Sequence, residues 1–84
     1  MEFHRLKNIT PLPDFVLRAE FLDGSRRIYD VKPLMKKIPV FQMLEYVHGL
    51  FGQVRVDTGG CGIIWNDEID ISSDEIYENG MITQ

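Results

Sequence analysis

From Phe15 to Val31 apolar and polar residues alternate on either side of an Asp23-Gly24 pair, and no other feature narrows the folding options of this chain so much. In Phe15-Val16-Leu17-Arg18-Ala19-Glu20-Phe21 a period of two puts Phe15, Leu17, Ala19 and Phe21 on one side and Arg18 and Glu20 on the other, the pattern of a half-buried strand. Asp23-Gly24 tolerates the positive φ of a tight turn, so Arg26-Arg27-Ile28-Tyr29-Asp30-Val31 returns as the second strand of a β-hairpin. Upstream, Leu6-Lys7-Asn8-Ile9 reads as a further strand ended by Pro11 and Pro13, which lack the amide hydrogen a ladder needs.

The period changes after Pro39. Val40, Met43, Leu44 and Val47 recur at helical spacing with Gln42, Glu45 and Tyr46 opposite them, which predicts a central amphipathic helix ended or kinked at Gly49 or Gly52. Lys32 to Lys37 before it is expected to make a single helical turn. Gln53 to Asp57 and Gly62 to Trp65 then read as a second hairpin, joined by the glycine-rich Thr58-Gly59-Gly60-Cys61, a flexible tip. Asn66-Asp67 marks a turn, and Ile69-Asp70-Ile71 a short strand. Ser72-Ser73-Asp74-Glu75 has the spacing of a capping box, so a short C-terminal helix is predicted from about Ser73 to Asn79, with Gly80 as its stop. The expected fold class is α+β: a mainly antiparallel sheet of two hairpins plus short strands, with these two helices, and no internal repeat.

With 84 residues the chain has room for one domain, 1–84. Cys61 is the sole cysteine, which leaves neither an internal disulfide nor a multi-thiolate zinc site. No apolar run approaches the ~18–20 residues of a bilayer span, and Met1-Glu2-Phe3-His4-Arg5 lacks the apolar stretch of a secretory signal, so a cytoplasmic protein without a membrane partner is expected. The net charge of -4 is unevenly placed: residues 1–42 carry eight Lys or Arg against five Asp or Glu, residues 43–84 one against eight. An acidic second half favours basic partners and repels phosphate backbones, so nucleic acid is not an expected partner of this chain alone.

Chemistry-bearing patterns are few. Asp67, Glu68, Asp70 and Asp74 form the densest acidic cluster, but Ser72 and Ser73 stand where a calcium loop needs its glycine. Cys61 lies among Gly59, Gly60 and Gly62 with nothing adjacent to activate it, and neither His4 nor His48 has a neighbour at ligand or triad spacing. Thr58-Gly59-Gly60-Cys61-Gly62 lacks the lysine and hydroxyl of a phosphate loop. No catalytic, cofactor-binding or metal residue is assigned, and no cofactor or enzyme activity is expected. Asp67, Glu68 and Asp70, with Trp65 as an aromatic anchor, are the candidate partner-binding residues; Arg26, Arg27, Lys36 and Lys37 are the candidate basic patch.

Pro11-Leu12-Pro13-Asp14, Phe21 with Asp23-Gly24, Tyr29-Asp30-Val31-Lys32-Pro33-Leu34 and, more sharply, Val54-Arg55-Val56-Asp57 with the run from Gly62 to Gly80 containing Trp65-Asn66-Asp67-Glu68-Ile69-Asp70 resemble the domain-of-unknown-function 2442 family (DUF2442). The resemblance spans nearly the whole chain. It implies a small bacterial α+β domain with no catalytic residues to carry over, whose relatives are often encoded beside a small toxin-like protein. The expected function is therefore a non-catalytic protein-interaction module, antitoxin-like, whose acidic half masks a basic partner. The alternative is a regulatory nucleic-acid contact through Arg26, Arg27, Lys36 and Lys37. The Val40 to Val47 helix and the sheet edges also offer surfaces for a homodimer.

Overall fold

The computed structural model describes residues 4–83. Three antiparallel strands open the chain, β1 (Leu6–Leu12), β2 (Val16–Phe21) and β3 (Arg26–Asp30), followed by a short helix α1 (Lys32–Lys37). A 3-10 turn (Pro39–Gln42) runs into a single turn of helix α2 (Met43–Tyr46). A second three-stranded antiparallel sheet follows, β4 (Arg55–Val56), β5 (Gly62–Asn66) and β6 (Ile69–Ser72), and then α3 (Ser73–Asn79). The last strand, β7 (Met81–Thr83), returns to the first sheet, whose order is β1-β2-β3-β7. The fold is α+β, with the arrangement of three strands then helix occurring twice although the two sequences share no repeat.

Leu6, Leu17, Ala19, Phe21 and Tyr29 on the first sheet and Ile63, Trp65, Ile69 and Ile71 on the second point inward, and Val31, Met35, Phe41, Leu44, Leu50 and Ile76 from the connecting segments, α1 and α3 complete one contiguous core. The strand alternation thus places the residues that the sequence pattern assigns to the interior. The hairpin at Asp23-Gly24 forms as expected: Gly24 has φ +89°, and Asp23 accepts the Ser25 amide at 2.8 Å. The Ser25 hydroxyl and amide together hold the Asp23 carboxyl below its ordinary value. The Ser72 cap forms too, its hydroxyl accepting the Glu75 amide at 3.2 Å.

Three expectations change. β1 does not end before Pro11 but continues to Leu12, with Pro11 opposite Leu17. β1 is an edge strand, and a proline there removes no amide that the sheet requires. Its hairpin with β2 turns through Asp14 (φ 66°) and Phe15 (φ 58°), left-handed conformations rare for an aromatic residue. Anchors at both residues hold this turn: Lys32 Nζ donates to the Asp14 carbonyl and lies 3.2 Å from its carboxylate, and the Phe15 ring meets Phe51 edge-on at 5.3 Å. In the central helical segment, Pro39 holds Ile38 extended (φ -117°, ψ 109°) and resets the phase. Phe41 and Leu44, one 3-10 turn apart, face the core, while Val47 is extended and 44% exposed.

The glycine-rich loop, expected as a hairpin tip, is seated on the first sheet at Gly60, while Thr58, Gly59 and Cys61 are exposed. Gly60 is buried at φ +75°, and a Cβ there would meet the Leu6 carbonyl oxygen at 2.7 Å, so the loop of the second sheet lies directly on the backbone of β1.

Two inward residues of β3 tie the first sheet to α3. Tyr29 donates its hydroxyl to Glu75 Oε2 at 2.8 Å, and burial, reinforced by that carboxylate, pushes the phenol well above its ordinary 10.0. The unfolded chain therefore releases this proton near pH 10 while the folded chain keeps it, so stability from this group is full below pH 10 and falls as pH rises beyond it. Denaturant titrations between neutrality and pH 11 should show that fall, and Tyr29→Phe should flatten it; equal alkaline slopes for the two proteins would remove the coupling.

Candidate functional site

The β5–β6 hairpin presents the acidic residues singled out in the sequence. Its register slips between Ile64, opposite Asp70, and Asn66, opposite Ile69, so a bulge centres on Trp65. Trp65 points inward: it is 3% exposed, donates Nε1 to the Phe51 carbonyl at 3.0 Å, and packs against Phe51 and Phe41. As a partner-binding residue it is corrected to a core anchor, because a buried indole with its one donor satisfied offers nothing to a partner. Beyond the bulge, Asn66 Oδ1 accepts the amides of Glu68 at 2.9 Å and Ile69 at 3.1 Å, fixing the turn from which Asp67 and Glu68 project. Both are exposed, as is Asp70.

The register of the small sheet adds a residue that the sequence reading did not connect. Asp57, at the end of β4, and Asp70 on β6 line one recess of about 220 Å³ together with Cys61 and Ser72. The signal lay in the strand pairing, Val56 opposite Ile63 opposite Ile71, which cannot be counted along the chain. Asp74 lies outside this recess, on α3, where its carboxylate accepts the His4 amide at 3.0 Å; that of Asp57 accepts the Thr58 amide at 2.8 Å but stays in the recess lining. The exposed carboxylates of the small sheet are thus Asp57 and Asp70 in the recess and Asp67 and Glu68 in the turn, with Arg55 the one cation on these strands. Both ion pairs of the described residues belong to Lys32, so none of these four carboxylates is neutralised by a protein cation within ion-pair distance among them. The recess holding Cys61 has no histidine in its lining, and among the described residues no three His, Cys, Asp or Glu converge as a metal-binding group.

The basic patch does not assemble. Arg27 is 6% exposed, with Nε donating to the Tyr77 carbonyl at 3.0 Å and the guanidinium 4.0 Å from the centre of the Tyr77 ring. Its place in the patch is corrected to a buried clamp, since β3 alternation puts Arg27 on the inward side with Tyr29. Arg26 begins β3 and Lys36 and Lys37 end α1, so about 13 Å of strand and the acidic Asp30 separate them before α1 starts. The His4 ring stacks on Tyr77 at 3.4 Å and 2°, and one ring face lacks room for both, so Tyr77 is held between His4 and Arg27.

A sequence model of the family described as "Protein of unknown function (DUF2442)" matches residues 6–81, from the first strand to the start of the last. The chain belongs to the DUF2442 family. No curated protein and no solved structure matches it. The DUF2442 match runs through both sheets and all three helices, so the acidic hairpin and the Arg27 clamp both lie inside the family region.

Arg26 and Arg27, adjacent in sequence, should separate in a stability measurement. Arg27→Ala loses charge-assisted hydrogen bonds and a packed stem and should cost about 2–3 kcal/mol, whereas Arg26→Ala at the exposed position should stay within about 0.5 kcal/mol. Equal effects in chemical denaturation would return Arg27 to the surface.

Proposed function

We propose that this member of the DUF2442 family is a non-catalytic, cytoplasmic protein-interaction module, antitoxin-like in action, whose small sheet covers a basic surface of a partner protein. The reading is carried by one observation: Asp57, Asp67, Glu68 and Asp70 stand exposed on the small sheet and its loops without a protein cation at ion-pair distance among the described residues. Such a face steers a cationic partner to itself and repels an anionic one, at a strength that salt screens over about 8–10 Å. The turn residues are pre-set by Asn66 and Trp65, so little ordering entropy is lost when they are covered. Support for an antitoxin-like role in particular comes from the family resemblance.

Affinity capture from native lysate with the tagged chain should retain one basic protein at low salt and release it at high salt. The triple variant Asp67→Asn, Glu68→Gln, Asp70→Asn should lose that capture while melting at the parent temperature. A partner held equally by the triple variant, or no basic partner at low salt, overturns the reading.

The last strand favours self-association as a second reading. Met81 and Ile82 are 73% and 76% exposed on β7, which pairs with β3 on one side only. β7 also carries neither a charge nor a proline to discourage edge pairing. A homodimer joined β7 to β7 about a two-fold axis would extend the first sheet across both copies. Light scattering should then give twice the monomer mass, reverting to the monomer in Ile82→Lys; a monomer at every concentration removes this reading.

A further inference from the structure

The outward face of the first sheet carries a different chemistry from the acidic hairpin. Strand register sets two rows side by side there, Thr10 opposite Arg18 opposite Ile28, and Asn8 opposite Glu20 opposite Arg26 opposite Thr83. Arg18 and Arg26 are diagonal neighbours across β2 and β3, about 7–8 Å apart, within reach of one another's long side chains. With Asn8, Thr10, Glu20 and Thr83 they line an open recess of roughly 580 Å³. That volume lies in the range of small-molecule sites, about 300–1,000 Å³.

The two guanidiniums are available. Both ion pairs of the described residues belong to Lys32, and Glu20, opposite Arg26 but at no ion-pair distance from it, accepts from Asn8 Nδ2 at 3.1 Å with Oε1 alone, which leaves its second oxygen for a ligand. That hydrogen bond, followed by the positive charges of Lys7 and Arg26, holds the Glu20 carboxyl below its ordinary value, so it remains an ionised acceptor near neutral pH. Each arginine offers five donors in a planar fork suited to two oxygens at once. Thr10 and Thr83 place hydroxyls at the two ends of the arginine diagonal.

We infer that this face binds a hydroxyl-bearing phosphate monoester of sugar-phosphate size. The terminal phosphate, a dianion with three free oxygens, lies between Arg18 and Arg26, and Glu20 accepts from hydroxyls of the attached sugar. A phosphodiester chain fits less well, because each of its phosphates has a single charge and the acidic second sheet repels a polyanion. The site lies on the other sheet from the acidic hairpin and stands or falls independently of the partner reading.

Titration of the full chain, isotopically labelled for amide NMR, with ribose 5-phosphate, inorganic phosphate and ribose tests it. Ribose 5-phosphate should shift amides of β1, β2 and β3 saturably, and ribose alone should not. Arg18→Gln and Arg26→Gln should each weaken binding at least about tenfold. Glu20→Gln should weaken ribose 5-phosphate binding but leave inorganic phosphate unaffected or tighter, which a general loss of fold would not do. Equal affinity for ribose 5-phosphate and inorganic phosphate would reduce the site to generic anion pairing; shifts confined to other strands, or no saturable binding, would overturn it.

Discussion

The assembly of this small protein rests on how it buries one charge. Arg27 sits at the inward side of a central strand, where an unpaired guanidinium would cost several kcal/mol, of order that of breaking a buried ion pair. The cost is met by carbonyl oxygens, Tyr77 at 3.0 Å and Arg26 at 3.2 Å, and by the π face of Tyr77. Both Tyr77 contacts come from α3, so the charge is satisfied only when the second half of the chain docks on the first. Tyr29, two residues along the same inward row, repeats the device with Glu75. The two contacts fix α3 at two points, and through α3 and its Ser72 cap they set the position of β6 and the acidic turn.

The first sheet leaves Arg18 and Arg26 outward, and the second leaves Asp57, Asp67, Glu68 and Asp70. The charge asymmetry of the sequence is thereby turned into two faces of different character. The Gly60 loop lying against Leu6 and the α3 clamps keep those faces in a fixed relation. A chain of this size has little core to spend on such rigidity, and it obtains it from close backbone contact and from polar groups that are satisfied across the sheet junction.

Much of this was legible along the chain. Asp23-Gly24, the alternation of Leu17, Ala19 and Phe21, and the Ser72-to-Glu75 spacing each carry their structure locally. The β1–β2 hairpin was not, because Asp14 and Phe15 adopt left-handed angles held by Val31, Lys32 and Phe51, all further along the chain. Arg27 was a misjudged case rather than a silent one: it shares parity with Tyr29 and Val31, and parity outweighs charge when carbonyls and a ring are waiting. Asp57 joined Asp70 only through strand register, and β7, three residues long, is too short for any periodicity to register.

The order of the strands has a consequence for how the chain comes to be folded. β3 gains its outer neighbour from the segment after α3, so during synthesis the first three strands emerge with one side of β3 still open, and Arg27 without Tyr77 to receive it. The ribosome must deliver the entire second sheet and α3 before that edge can be closed. Contacts this distant along the chain slow folding, and in the interval the nascent sheet has an exposed pairing edge beside a partly dry cation. The short β7 is thus the last fastening of the fold, and a chain stalled before Gly80 would leave the ribosome as a sheet seeking a strand from elsewhere.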